Sequence, residues 1–595
     1  MTDYRFAPLS LRRFHPIWRA LSFGILLSAC GVTTGTDAGS SQSTAFDQAA
    51  DDANSSGAVG TTKDVKSGGT YSSQDTATGT DSSYWGYADA TSADVGGPNA
   101  GSGGTDQGIG LKPGGAQDIG YFRSLLQAGQ LPKIGDMTIE GWLNEHDTVL
   151  PAAKKDRLVT LHAMAAVIQQ PGKAAEGLLQ LGLNSAQSLK DVQTSLSLTL
   201  VIDNSGSMAG AKLDYVKAGL HVLADKLPKG TRLTLFTFSE MPKLIFPAKV
   251  VEDTDLEQLH AAINNVQATN GTNLYDGLAA GIADCDQASL DFVQKRVMLL
   301  SDGEPTVGNV NIDDIIALAG PAAKNGCSIS TVGVGLDFSP ALMTGIAQKG
   351  NGTAWFLQNV ESAKSVFVQD LETMLVSVAE KLWLRFKPAA GWKVLDIYGF
   401  EWVEKDGFVQ ITGTKKPPTQ PGEPTDPTPT TTDPTDPNAP PVAMPTLFAS
   451  SRNGLVLARL AGPASTDPLQ VLNLTFASMQ YGYTSSKNQQ PAQYTSPVEV
   501  PGLVQVADGG LAYFADPGVR RAWLILMDGL SLQAAVQWTS DGKPDDAKAL
   551  LAFAVKRHDE QVSVMIADLP VYDASAPDLA DAKSLLLALS ALIGK

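Results

Sequence analysis

Hydrophobic positions along the middle of the chain follow two alternating patterns. Short apolar runs rich in β-branched residues, typical of buried strands, occur at 196–203, 232–238, 296–301, 328–334 and 354–357. Apolar residues at helical spacing lie between and after these runs, at 213–227, 256–266, 274–284, 312–324, 340–348 and 363–381. A further short run at 244–251 fits an edge strand. This alternation predicts an α/β fold, a doubly wound and mostly parallel sheet with helices on both faces.

The pattern changes on both sides of this segment. Before it, amphipathic helices are predicted at 119–126 and 139–146. After Trp383, short alternating runs predict strands at 384–386, 392–398, 408–411, 455–460 and 471–476. We interpret these strands as one β-sandwich that carries the Pro/Thr/Asp-rich tract 415–445 as a long inserted loop. Three amphipathic helices are predicted at the end, over 522–538, 545–558 and 578–593.

The length and the charge of the chain limit the number of folded units and exclude one class of partner. At 595 residues the chain is too long for one core and predicts two or three globular units. The formal net charge of −18 and a pI near 4.8 argue against nucleic acid as a partner. Residues 31–116 contain almost no large apolar side chains, so they cannot bury enough surface to offset the entropy of ordering them. We expect a disordered tether there.

The first thirty residues have the pattern of an export signal. Arginines precede an apolar stretch at 20–27 that is too short to span a bilayer. The stretch ends in Leu-Ser-Ala-Cys at Cys30, which resembles the lipobox of bacterial lipoproteins. The resemblance implies that residues 1–29 are a signal peptide, that Cys30 carries the lipid anchor, and that Gly31 after it favours the outer membrane. The alternative is an ordinary secretory peptide with a chance cysteine.

Side chains with carboxylate or hydroxyl oxygens lie at the ends of two predicted strands and in one loop. Asp203, Ser205 and Ser207 lie on the turn after the first strand, Thr272 lies in a loop between two predicted helices, and Asp302 ends the run 296–301. Carboxylates and hydroxyls are the hard ligands that Mg²⁺ takes. Alone, the first group could be an ordinary turn, because Asp, Ser and Gly are common turn residues. Together, the three segments resemble the metal-ion-dependent adhesion site of von Willebrand factor A (VWA) domains, over residues 195–381.

This resemblance implies both a geometry and a function. In the strand order of VWA domains the first and fourth strands are neighbours, so Asp203 and Asp302 would reach one crevice, with Thr272 above it. The resemblance then implies that Mg²⁺ or Mn²⁺ is held by Asp203, Ser205, Ser207, Thr272 and Asp302, and that a carboxylate of a protein ligand replaces a metal-bound water. We expect metal-dependent ligand binding or adhesion. The alternative is a structural subunit of an envelope complex, assembled through the β-sandwich and the helical tail.

No catalytic arrangement accompanies this site in the sequence. Ser205 and Ser207 lack a recognisable His–Asp pair, and Gly333-Val334-Gly335 lacks the rest of a phosphate-loop fingerprint. A metal ion with open positions can activate water, but no general base is paired with this one. We therefore do not expect an enzyme.

These patterns divide the chain into six segments. They are a signal peptide at 1–29, a lipid-anchored tether at 30–116, a helical prelude at 117–194, a VWA domain at 195–381, a β-sandwich at 382–515 and C-terminal helices at 516–595. The prelude resembles that of one family of bacterial VWA lipoproteins, and the resemblance implies that a strand at 178–183 leads from it back into the sheet. The anchor would make the membrane a second partner beside the protein ligand.

Cys285 and Cys327 are the cysteines that remain besides the anchor. Each closes a helix that leads into a strand, and both crossovers run in the same direction, so right-handed connections place the two helices side by side. Helix axes about 8–10 Å apart let facing Cα atoms approach the roughly 4.4–6.8 Å that a disulfide needs, and export permits one. The alternative is two separately buried thiols, because the rotation of each helix decides where its side chain points.

Overall fold

The structure is a computed structural model of the 595-residue chain. It describes residues 109–148, 150–168, 176–337, 339–359, 367, 375–414, 446–450, 452–462, 477–498, 512–513, 517–568 and 577–594. The signal peptide with Cys30, most of the tether, the tract 415–445 and the predicted strand 471–476 lie outside the described residues.

The described residues form the following elements. The strands are β1 (Ile109–Pro113), β2 (Gly115–Ala116), β3 (Thr160–Ile168), β4 (Glu176–Ser185), β5 (Leu196–Asp203), β6 (Arg232–Phe238), β7 (Pro242–Val250), β8 (Gln294–Ser301), β9 (Cys327–Val334), β10 (Asn351–Leu357), β11 (Ser377–Pro388), β12 (Lys393–Tyr398), β13 (Phe400–Lys405), β14 (Phe408–Thr414), β15 (Leu447–Ser450), β16 (Gly454–Ala461), β17 (Ala477–Ser485), β18 (Pro491–Val498) and β19 (Ala512–Tyr513). The helices are α1 (Gly120–Gln127), α2 (Ile139–Glu145), α3 (Leu189–Val192), α4 (Ala211–Lys226), α5 (Leu256–Asn264), α6 (Leu274–Gln287), α7 (Ile312–Lys324), α8 (Pro340–Lys349), α9 (Pro517–Ser540), α10 (Pro544–Asp568) and α11 (Pro577–Leu592). Single turns of 3₁₀ helix occupy Gly206–Met208 and Asp253–Asp255.

The central pattern of the sequence forms a seven-stranded sheet in the order β2-β10-β9-β8-β5-β6-β7. Every neighbouring pair from β2 to β6 is parallel, and β7 pairs antiparallel with β6 at one edge. β5 is buried at every position, as expected for a central strand covered on both faces. The predicted doubly wound α/β fold, with an edge strand near 244–251, is confirmed.

Twelve strands form a second sheet whose described pairings are antiparallel. Its strands come from both sides of the central segment, because β1, β3 and β4 precede β5 while β11 to β19 follow β10. β4 lies between β3 and β16 and pairs with each of them along eight or more residues, for example Leu181 with Ala163 and with Val456. The sequence analysis placed the strands of this unit after Trp383. The predicted strand 178–183 forms as β4, but the prediction that it leads back into the central sheet is wrong, because β4 pairs with β3, β1 and β16. β1 and β3 were not predicted.

Two local predictions are wrong. Residues 109–116, which were assigned to the disordered tether, form β1 and β2, and Leu111 is fully buried. Their order comes from distant partners, since β1 pairs with β15 and β4 while β2 pairs with β10. The predicted helix 363–381 is wrong at its end, because β11 begins at Ser377 and pairs with β17 and β15.

The two sheets share a continuous hydrophobic core and are also joined by polar contacts. Gln294 Nε2 donates to the carbonyl of Ser377 at 2.8 Å, and the Ser377 amide donates back to Gln294 Oε1 at 3.1 Å. The buried guanidinium of Arg296 lies 4.7 Å from the ring centroid of Phe448. Gln294 and Arg296 lie at the amino end of β8, so this attachment leaves the carboxyl ends of the parallel strands open.

The C-terminal helices are part of the folded core. α9, α10 and α11 pack with α1, α2 and the second sheet in one hydrophobic cluster. Trp142 Nε1 donates to the carbonyl of Ile525 at 2.7 Å. Inside the helical layer, the fully buried Asp528 carboxylate accepts from Arg557 at 2.8 Å and faces His558 Nδ1 at 2.6 Å. Among the described helices, none combines the length and the apolar character needed to cross a membrane.

Cys285 and Cys327 form a disulfide, with their Cα atoms 6.2 Å apart. Cys285 lies in the last turn of α6, and Cys327 is the first residue of β9, three residues beyond the end of α7. Both side chains are fully buried. The bond therefore ties α6 to the start of β9, at the edge of the sheet opposite the carboxyl ends of the strands.

Candidate metal centre

Asp203 and Asp302 meet at the carboxyl end of the central sheet. Asp203 is the last residue of β5, and Asp302 directly follows β8. β5 and β8 are parallel neighbours with Ile202 opposite Leu300, so the two carboxylates lie at the same level of the sheet edge. Both aspartates are fully buried. This edge is the switch point of the sheet, where open α/β folds bind ligands.

The turn after β5 holds the hydroxyls that accompany Asp203. The amide of Ser205 donates to Asp203 Oδ1 at 2.8 Å, and the hydroxyls of Ser205 and Ser207 lie 3.0 Å apart. Ser301 Oγ, from the end of β8, donates to Asp203 Oδ2 at 2.6 Å. Ser205 is buried while Ser207 is exposed. The arrangement fixes the carboxylate of Asp203 and leaves one hydroxyl open to solvent.

The loop that carries Thr272 is hydrogen-bonded to the turn after β5 and to the loop after Asp302. The amide of Thr269 donates to the carbonyl of Asn204 at 2.7 Å, which ties the loop to the turn after β5. Thr306 Oγ1 accepts from the amide of Thr272 at 2.9 Å, and the amide of Thr306 donates to the carbonyl of Thr272 at 2.9 Å, which ties it to the loop after Asp302. Thr272 is 3 % exposed. The three segments predicted from the sequence thus adjoin one another.

Gly271 allows the loop that carries Thr272 to lie close to the β6–β7 turn. Its φ is +77°, a backbone conformation that glycine adopts without strain. A Cβ at this position would lie 2.7 Å from Cγ of Glu240 on the β6–β7 turn. A side chain here would push the Thr272 loop away from the sheet edge.

Burial makes the negative charge of Asp203 electrostatically costly. Desolvation raises the pKa of Asp203 to about 6, and the charge of Asp302 adds to the rise, while the hydrogen bonds from Ser301 and Ser205 oppose it. A divalent cation beside the two carboxylates would act in the opposite direction, because it stabilises their charged forms.

Lys212 is a charged member of the site that the sequence analysis missed. Its Nζ lies 2.9 Å from Asp302 Oδ2 and 2.6 Å from the carboxylate of Asp337. Burial lowers the pKa of Lys212, but the hydrogen bonds that its ammonium donates to Asp337 and Asp302 outweigh burial and raise the pKa above its ordinary value. A lysine in the first turn of a helix carries no sequence signal of this role, since its partners are 90 and 125 residues away.

The donor set fits a hard divalent cation. Asp302 Oδ1 is buried and has no hydrogen-bond partner among the described residues, while Lys212 occupies only Oδ2. Carboxylate and hydroxyl oxygens suit Mg²⁺ or Mn²⁺. The side chains that would hold the ion are those of Asp203, Ser205, Ser207, Thr272 and Asp302. In the described part of the chain, no group of three or more His, Cys, Asp or Glu side chains offers a competing metal site.

Residues 197–370 match the sequence model of the von Willebrand factor type A domain. The protein YfbK of Escherichia coli is 24 % identical over 282 residues, 45 % of this chain and 48 % of that protein. The protein sll0103 of Synechocystis is 29 % identical over 184 residues, 31 % of this chain and 43 % of that protein. The chain thus spans less than half of the length of each of these relatives.

A solved structure of a von Willebrand factor type A protein from Catenulispora acidiphila matches over 73 % of this chain and 98 % of that one, with 14 % identity and a TM-score of 0.43. VWA domains imply protein interaction or adhesion rather than catalysis, and they often bind a divalent metal ion. The central seven-stranded unit of this chain is a von Willebrand factor type A domain.

Proposed function

We propose that this chain binds a protein ligand through a divalent metal ion, Mg²⁺ or Mn²⁺, at the carboxyl edge of its VWA domain. The observation that carries the proposal is Oδ1 of Asp302, which is buried and has no hydrogen-bond partner among the described residues, beside the buried carboxylate of Asp203. Lys212 supplies one positive charge to these two carboxylates, and a divalent cation would balance the charge that remains. Because such ions keep water ligands at sites of this kind, a carboxylate of the ligand can replace one of them.

The surface around this edge suits a protein as the ligand. Three large apolar side chains are exposed on its loops: Met241 at 75 %, Val310 at 50 % and Leu336 at 38 %. They follow β6, β8 and β9, whose carboxyl ends share the edge with Asp203. Exposed apolar groups around a charged contact are typical of interaction sites, since they add burial to the specificity that the charge provides.

The helical tail offers little support for the alternative of assembly through that tail. Positions 521–532 of α9 are buried without interruption, and α9 to α11 share a core with α1, α2 and the second sheet. Most of the apolar surface of the tail is therefore used within this chain. Its removal would damage the fold rather than a docking surface alone.

Metal-dependent capture tests the proposed function. We expect immobilised full-length mature chain to retain specific envelope proteins in Mg²⁺ and to release them in EDTA, and we expect the Asp203→Ala variant to retain none of them. Glu304→Gln is the matched control, because Glu304 is an exposed carboxylate in the loop that follows Asp302. Capture of the same proteins in EDTA and by Asp203→Ala would contradict metal-dependent binding and favour a structural subunit.

We propose that the chain is anchored to the bacterial outer membrane by lipid on Cys30. The support is the apolar stretch that ends in Leu-Ser-Ala-Cys, followed by glycine. We expect the mature chain to begin at lipid-modified Cys30 and to partition with membranes, and Cys30→Ser to stay unlipidated. Mass spectrometry of the mature amino terminus checks this, and an unmodified Cys30 there would refute it.

A further inference from the structure

Two histidines face each other across α4 and α5 of the VWA domain. His221 Nδ1 and His260 Nδ1 lie 2.6 Å apart, with ring centroids separated by 4.8 Å. His221 lies on α4 and His260 on α5. Neither histidine is among the residues that form the carboxylate site, although His221 shares α4 with Lys212.

The outer nitrogens of both rings point at acceptors. His260 Nε2 lies 2.9 Å from Asp225 Oδ1, and His221 Nε2 lies 3.0 Å from Asn264 Oδ1. With hydrogens on these outer nitrogens, each neutral ring keeps its lone pair on Nδ1, and the two lone pairs converge on one point that a cation can occupy. In the other tautomer of either ring the 2.6 Å contact is an N–H···N hydrogen bond, so the same pair is also satisfied by a shared hydrogen.

We propose that a transition-metal ion of the Zn²⁺ class binds between His221 and His260. Imidazole nitrogens suit Zn²⁺, Ni²⁺ and Cu²⁺, whereas the carboxylate site offers the oxygen ligands of Mg²⁺. Metal-bound histidines donate their other N–H to a carboxylate or carbonyl oxygen, and Asp225 and Asn264 occupy those positions here.

The surroundings allow an ion to enter and water to complete its coordination. The His260 side chain is 29 % exposed, and its partner Asp225 is 62 % exposed. Two nitrogens on one tetrahedral zinc ion lie about 3.3 Å apart, so the rings need to separate by less than about 1 Å. The protein supplies two ligands, and waters supply the others.

The histidine site is separate from the carboxylate site. Lys212, which contacts Asp302, and His221 lie on the same helix, nine residues apart in sequence. That spacing corresponds to about 13 Å along the helix axis. Substitutions at the histidines therefore leave the carboxylate site in place, and the two sites can be tested independently.

Zinc titration of the full-length chain tests the proposal, in an Asp203→Ala background so that the carboxylate site does not contribute. We expect calorimetry to show one Zn²⁺ per chain, and Zn²⁺ to raise the Tm by about 3 °C. His221→Gln and His260→Gln should each abolish both effects. Asp225→Asn should weaken Zn²⁺ binding about tenfold while both ligands remain, because the second nitrogen of His260 loses its carboxylate partner.

His162→Gln is the matched control, because His162 is a partly buried histidine on β3 that is also hydrogen-bonded to an amide oxygen, that of Asn184. It should bind Zn²⁺ as the parent does. Unchanged binding in both His221→Gln and His260→Gln would overturn the proposal. So would the absence of Zn²⁺ binding in the parent, which would leave a shared proton as the cation between the rings.

Discussion

Mg²⁺ is expected to raise the melting temperature of this protein, and replacement of Asp203 with alanine is expected to abolish that rise. An ion present at about 100-fold above its Kd stabilises the folded state by about 2.7 kcal/mol, or about 8 °C for a domain of this size. The carboxylate of Asp203 is fully buried and is held in position by the Ser205 amide and the Ser301 hydroxyl. The alanine variant therefore loses an oxygen ligand that is fixed at the site. Thermal unfolding with Mg²⁺ and with EDTA measures the effect.

Lys212→Met is the control for this experiment, since it removes a charge from the same site without removing an oxygen ligand. Its ammonium lies 2.9 Å from Asp302 and repels an incoming cation, so its loss should preserve or increase the response to Mg²⁺. Asp203→Asn keeps the shape of the side chain and should behave like the alanine variant. A full Mg²⁺ response in Asp203→Ala would place the metal elsewhere.

The central fold could be predicted because its signals are local. Each buried strand is a short segment rich in apolar and β-branched residues, each helix has its own periodicity, and a parallel sheet alternates the two along the chain. The position of the site follows from the fold, since Asp203 and Asp302 end strands that the order of such sheets makes neighbours. These inferences needed no knowledge of contacts between distant side chains.

The second sheet could not be predicted in the same way, because its pairings are distant in sequence. β4 pairs with β16 more than 270 residues later, as Glu176 opposite Ala461 shows. β1 has little apolar content and is ordered by β15 and β4, not by its own pattern. The contact of Lys212 with Asp302 and Asp337 also joins residues that are distant in sequence. Local periodicity reports which face of an element is buried but not which partner covers it.

Removal of the Cys285–Cys327 disulfide is expected to destabilise the VWA domain by about 4 kcal/mol. The bond closes a loop with a sequence separation of 42 residues, and the loss of that constraint raises the entropy of the unfolded chain by an amount worth about 4 kcal/mol. The double variant Cys285→Ser/Cys327→Ser removes it. Hydrogen exchange measured by mass spectrometry should show faster opening of β8 and β9.

Two controls test whether the effect is confined to the region of the disulfide. α9 and α10 belong to a separate hydrophobic cluster, so their exchange should be unchanged in the variant. Both sulfurs are fully buried, so a reductant reaches them only when the domain opens, and wild-type protein unfolded and refolded in dithiothreitol should match the variant. Equal protection of β8 and β9 in the oxidised protein and in the variant would mean that packing alone holds α6 to β9.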